Sequence, residues 1–219
     1  QVGDGYVDIR LSLRPCQSMF LIDDNLVVRN GSIDNPEVNK LSYSIELQAE
    51  VEQLSAGVCF AITDQQNYYM WQFNVSDKQH PCLRPHRWLG GNASLLGEIE
   101  LPKDVNMQAG HPFNIRIEIE DESYAKTYID NVLVDERGGN FAYGRIGFRQ
   151  AHDDAYGKTE VAMFDDVVIK VKTGGGSGEV VFEEDFSDSN PFSEGYIVSE
   201  RLRVEGLMSR DILAWLYDV

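Results

Sequence analysis

The chain has 219 residues, 42% hydrophobic and 11% aromatic, enough to bury one substantial core and to make one domain with at most a fragment of a second. Its 36 acidic residues against 19 basic ones, a formal charge of −17, exclude nucleic acid and anionic membrane surfaces as expected partners, because both demand an excess of Lys and Arg. No apolar run approaches the ~20 residues of a bilayer-spanning helix, so no membrane insertion is expected.

The first regular signal is at Tyr43, Ile45, Leu47, Ala49 and Val51, which are apolar while Ser44, Glu46, Gln48 and Glu50 between them are polar. A period of two is that of a half-buried strand. "GVCFAI" (57–62) and "NYYMWQFNV" (67–75) follow, then "CLRPHRWLGGN" (82–92), where Pro85 predicts an edge or bulged strand because it has no N–H to donate. "FNIRIEIE" (113–120) repeats the alternation, with Phe113, Ile115, Ile117 and Ile119 on one face and Asn114, Arg116, Glu118 and Glu120 on the other. "YAKTYID" (124–130), "VLVDE" (132–136), "GRIGFR" (144–149) and "VAMFDDVVIKV" (161–171) complete the series, with turn-rich stretches such as "DES" and "IDN" between them. So many strand signals with no convincing helix among them predict an all-β fold, a two-sheet antiparallel β-sandwich.

"TGGGSGE" reads as a flexible linker. It divides the chain into a sandwich over 1–172, a linker over 173–179 and a C-terminal segment over 180–219. That segment either adds strands to the sandwich or begins a second module. Its end, "SRDILAWLYDV", is expected to form a short helix capped at Ser209. Cys16, Cys59 and Cys82 show no metal-binding spacing, and an odd number cannot close a complete disulfide framework, so their pairing stays open. Cys59, inside an apolar run, reads as a buried small hydrophobe.

Parity along the strands isolates a second set of residues. In "NYYMWQFNV" Tyr69, Trp71, Phe73 and Val75 are expected in the core, leaving Tyr68, Met70, Gln72 and Asn74 on the other face. With Leu83 and Leu89 inward, Arg84, His86 and Trp88 point outward, and Arg116, Arg145 and Arg149 alternate with apolar neighbours in the same way. Tyr68, Gln72, Arg84, His86, Trp88, Arg116, Arg145 and Arg149 are therefore expected to share one outer face. Sugars suit such a surface: an aromatic ring stacks on the C–H face of a pyranose, amide and guanidinium groups take its hydroxyls, and Arg also pairs with a uronate carboxylate. The plainer expectation is that these arginines pair with carboxylates across strands on a solvated face.

"SMFLIDDNLVVRNGS", "YSIELQAEV", "GVCFAITDQQNYYMWQFNV", "FNIRIEIEDESYAKTYIDNVLVDE", "YGRIGFR" and "VAMFDDVVIKV" resemble, in that order, the strands of concanavalin A-like (laminin-G-like) jelly-roll modules, over about residues 15–172. "LRPHRW" and "VLVDERGGNFAYGRIGFR" resemble more narrowly the module that precedes the catalytic domain in bacterial secreted α-L-rhamnosidases of glycoside hydrolase family 78. "VVFEEDFSDSNPFSEG" resembles the opening strand of a following β-sandwich in such enzymes. The family's catalytic unit is an α-helical barrel that nothing here can form. The resemblance thus implies a non-catalytic carbohydrate-binding or accessory module of a secreted, periplasmic or cell-surface enzyme. Its implied partners are glycan, rhamnose-containing plant polysaccharide among them, and neighbouring domains of the same enzyme.

Concanavalin-like modules often hold a structural Ca²⁺ where first and last strands meet. On that resemblance Asp23, Asp24, Asp165 and Asp166 are its candidate oxygen ligands, and no other cofactor is expected. "EIEDE" would place Glu118, Glu120 and Glu122 on one side of a strand and resembles the ExDxE signature of retaining jelly-roll glycosidases, with Glu120 where that pattern has Asp. A glycosidase using those carboxylates is the alternative function, and a purely structural spacer is the third.

Overall fold

Alternating strands leave one apolar face each, and two sheets that lay those faces together satisfy all of them at once. The computed structural model describes residues 2–3, 6–7, 18–20, 42–64, 66–76, 80–141, 145–153, 158–172, 178–187, 196–197, 200–205 and 212–214. Its principal strands are β1 (Ser42–Gln53), β2 (Ser55–Asp64), β3 (Asn67–Asn74), β4 (Cys82–Leu89), β5 (Asn92–Leu95) and β6 (Pro112–Glu120). They continue with β7 (Tyr124–Ile129), β8 (Val132–Gly138), β9 (Arg145–Gln150), β10 (Val161–Lys172), β11 (Glu179–Glu184) and β12 (Leu202–Glu205). The first sheet runs β8-β7-β6-β1-β10-β12 and ends on Tyr196–Ile197, with β11 also paired to β10. The second runs from Ile212–Ala214 through β9-β2-β3-β4-β5, with Ser18–Phe20 on β9 and Ile99–Glu100 on β4. Every pairing is antiparallel. This is the all-β, two-sheet antiparallel sandwich that the alternation predicts.

The core is built from the residues the parity places there. Ile45, Leu47, Ala49 and Val51 of β1 and Phe113, Ile115, Ile117 and Ile119 of β6 face Val58 and Phe60 of β2 and Trp71 and Phe73 of β3. Phe148 stacks on Phe164 across the sheets with ring centroids 4.0 Å apart. A buried hydrogen bond helps tie the layers: Trp71 Nε1 donates to Thr127 Oγ1 at 2.7 Å, which gives the indole N–H the partner that burial demands. In β10 the core positions shift from Ala162 and Phe164 to Val167, Ile169 and Val171, a change of parity. A bulge between Asp165 and Val168, with Asp166 in the left-handed region at φ 49°, makes that change.

The chain beyond the Gly/Ser stretch continues the first sheet. β11 pairs with the second half of β10 and β12 with its first half, so the two share one edge in succession. Phe186, Leu202 and Val204 enter the same core. Within "SRDILAWLYDV" the described residues Ile212–Ala214 are strand, paired with Gln150, Arg149 and Phe148, where a helix was expected; the free edge of β9 satisfies their backbone groups instead. Leu89, expected inward, is 60% exposed, because β4 runs past the end of the core at the Gly90-Gly91 turn.

Candidate functional site

The outer face of the second sheet is set by the register of β3 and β4. Tyr68 is opposite Trp88, Met70 opposite His86 and Gln72 opposite Arg84, all on the side of the sheet away from the main core; Tyr68 and Met70 are buried there, and Gln72, Arg84, His86 and Trp88 are half-buried. Pro85 does not break this register. Its carbonyl accepts from Leu96 N at 2.8 Å, so its missing donor faces the same side, where β4's outer partner changes from β5 to Ile99–Glu100. Arg149 arrives from β9 across β2, and Gly57 makes room: a Cβ there would fall inside contact distance of the Arg149 carbonyl oxygen.

These side chains form one connected group. Tyr68 and Trp88 stack with centroids 4.7 Å apart and planes 7° from parallel. The Arg149 guanidinium lies 5.3 Å from the Trp88 ring centroid, and its Nη1 is 3.8 Å from Met70 Sδ. His86 is 5.7 Å from Trp88 between ring centroids. Its Nδ1 lies 2.8 Å from the Arg84 carbonyl oxygen, an atom that can only accept, so Nδ1 carries the proton and Nε2 the lone pair. Burial pushes the imidazole down to about 4, against the Arg84 backbone bond and with help from the Arg149 and Arg84 charges, so His86 is neutral at pH 7. Arg84 Nε donates to Glu98 Oε2 at 3.0 Å. Behind Gln72 sits Glu160, 6% exposed, which accepts from Ser55, Gln72 and Ala151; burial raises its pKa, while Arg149 and these donors oppose the rise.

Six of the eight residues predicted for one face are therefore together: Tyr68, Gln72, Arg84, His86, Trp88 and Arg149. Arg116 is elsewhere. It lies on β6 in the first sheet, ion-paired with Glu118 and 3.9 Å from the Tyr128 ring centroid. The physical reason is that a sandwich has two outer faces, and parity cannot say which sheet a strand joins. Arg145 lies in β9, with its side chain outside the described residues. Ser55, Gly57, Glu98 and Glu160 complete the face without having been predicted, and Met70 joins it on the face where its parity put it. Glu160, a single acid before an apolar strand, carried no signal.

The three carboxylates of "EIEDE" do not form a row. β6 ends at Glu120, and Asp121 and Glu122 make the hairpin turn with φ 49° and 54°, so Glu122 leaves the strand. Glu118 pairs with Arg116 and Glu120 with Lys126 Nζ at 2.7 Å. They belong to a charged outer surface that also holds Lys170–Glu46 at 2.7 Å and Arg201–Glu50 at 2.5 Å. Of the calcium set, Asp23 and Asp24 lie outside the described residues, and Asp165 and Asp166 occupy the β10 bulge, where Asp166 N donates to Asp165 Oδ1 at 2.8 Å. Among the described residues no group of three or more His, Cys, Asp or Glu is gathered to hold a metal. Cys59 and Cys82 are buried free thiols, and Cys16 lies outside the described residues.

Fold and face together define a two-sheet antiparallel β-sandwich with a polar and aromatic patch on one sheet. No family model matches the chain, and no curated protein does. Solved structures that it resembles include sheep galectin-11 in complex with glycerol, at 13% identity and TM-score 0.38 over 52% of this chain and 89% of that one. CG-16, a homodimeric agglutinin from chicken liver, matches at 10% identity and TM-score 0.36, over 67% of this chain and 96% of that one. SCP-B, an eqolisin-family peptidase in complex with a tripeptide, matches at 8% identity and TM-score 0.37, over 76% and 96%. At these TM-scores the likenesses assign no residue and no role.

Proposed function

We propose that this sandwich is a non-catalytic glycan-binding module and that the outer face of its second sheet is the binding surface. The observation that carries the reading is the partly exposed Trp88 ring, backed by the buried Tyr68, with His86 and Arg149 against it and Gln72 and Arg84 two cross-strand rows along. An aromatic platform beside a small set of oriented donors and acceptors is what a sugar needs, because one side of a pyranose is apolar and its rim is hydroxylated. The sequence resemblance extends the proposal: the module serves a secreted glycoside hydrolase of the α-L-rhamnosidase kind, next to further domains, and rhamnose-containing polysaccharide is its first candidate ligand.

A screen of the 219-residue chain against pectic and other plant oligosaccharides tests this. Trp88→Ala and Arg84→Ala are expected to weaken binding at least tenfold while far-UV circular dichroism stays unchanged. Arg116→Ala, on the opposite sheet, is expected to bind as wild type. Absence of binding to any glycan, or equal loss in all three variants, would favour the spacer.

A further inference from the structure

The buried group behind this face bears on which glycans it selects, and the argument rests on the glycan reading above. Glu160 precedes β10 of the first sheet, yet its carboxylate reaches the second. Oε1 accepts from Ser55 Oγ at 2.7 Å and from Gln72 Nε2 at 2.8 Å, and Oε2 accepts from Ala151 N at 2.6 Å. Gln72 Nε2 also lies 3.1 Å from Ser55 Oγ. A carboxylate and a hydroxyl that already donates elsewhere can only accept from the amide, so the Gln72 nitrogen is held inward against this pair of oxygens, which lie 2.7 Å apart. Gln72 Oε1 is left with no hydrogen bond among the described residues, in the row shared with Arg84.

His86 repeats the pattern one row along. Its Nδ1 proton is spent on the Arg84 carbonyl, so Nε2 is an acceptor too. The flanking cations are partly committed, Arg84 to Glu98 and Arg149 to the Trp88 ring. We infer that Glu160 is a positioning residue for Gln72 and that the face takes neutral glycans, whose hydroxyls donate to Gln72 Oε1 and His86 Nε2, in preference to uronates. A carboxylate would set its lone pairs against those two acceptors, on a protein whose charge of −17 already repels anions.

The test compares the full chain with Glu160→Gln, and with Ser55→Ala should the first variant fold poorly. Two readouts are taken. The first is ¹⁵N-resolved exchange of the Gln72 side-chain amide, expected at least tenfold slower than that of exposed Gln66 in wild type and close to it in Glu160→Gln. The second is calorimetric affinity for a rhamnogalacturonan oligosaccharide and for its carboxyl-reduced, neutral form. The neutral form is expected to bind at least tenfold more tightly to wild type, with that ratio falling towards one in Glu160→Gln. A general loss of packing would weaken both ligands alike and leave the ratio unmoved. Tighter binding of the uronate form, or an unchanged ratio in the variant, would overturn the inference while leaving glycan binding intact. Failure of wild type to bind either form would remove both readings.

Discussion

His86 shows how one side chain reports on its surroundings. Its folded pKa of about 4 lies below the ordinary imidazole value of 6.5 chiefly because burial penalises the charged ring. Between those two pH values the unfolded chain binds a proton that the native state refuses. The contribution of His86 to stability is therefore fully present above pH 6.5, falls as the pH drops towards 4, and is flat below that. Urea unfolding at pH 7, 5.5 and 4 should show wild type losing on the order of 2 kcal/mol more than His86→Gln over this range. Glu160 acts in the opposite sense, since its raised pKa lets the native state bind the extra proton, but it is common to both chains and cancels in the comparison. Parallel pH profiles for the two proteins would mean that His86 is solvated rather than sheltered against Trp88 and Arg149.

Among the strands, Gly57 carries the closest approach in the second sheet. A Cβ there would stand 3.2 Å from Met70 Sδ and closer still to the Arg149 backbone carbonyl, which cannot turn aside as a side chain would. Gly57→Ala should therefore push β9 away from β2, costing about 1–3 kcal/mol in denaturant unfolding and lifting Arg149 from the Trp88 ring, a change visible in tryptophan fluorescence. Unchanged stability and emission would show that the β2–β9 contact is loose enough to admit a methyl group. Much of this element-level order was legible in the sequence. Period-two alternation gave β1 and β6 their core faces, and the same parity set Tyr68, Gln72, Arg84, His86 and Trp88 outward. What parity lacks is a third coordinate. It could not assign Arg116 to the other sheet, foresee that Glu122 would leave β6 at a turn, or show that Glu160 would cross between layers, because each depends on contacts distant in sequence.

For the molecule as a whole, the open question is where the folding unit ends. The Gly/Ser stretch marks a boundary at Lys172 by composition, yet β11 and β12 both lie on β10 and together cover its outer edge. Phe186, Leu202 and Val204, all beyond that boundary, are at most 1% exposed. Losing the burial of three such side chains costs roughly 4.5–9 kcal/mol, at about 1.5–3 kcal/mol each. That is comparable with the ~5–15 kcal/mol that holds an ordinary domain together. It would also leave β10 as a bare edge ready to pair with another chain. A chain stopped at Lys172 should accordingly be unfolded, or associated through β10, when followed by circular dichroism and size-exclusion chromatography, whereas the 219-residue chain should unfold in one cooperative transition. A monomeric 1–172 product with the thermal midpoint of the longer chain would show instead that the linker is a true domain boundary. The sandwich would then be complete without the strands beyond Lys172.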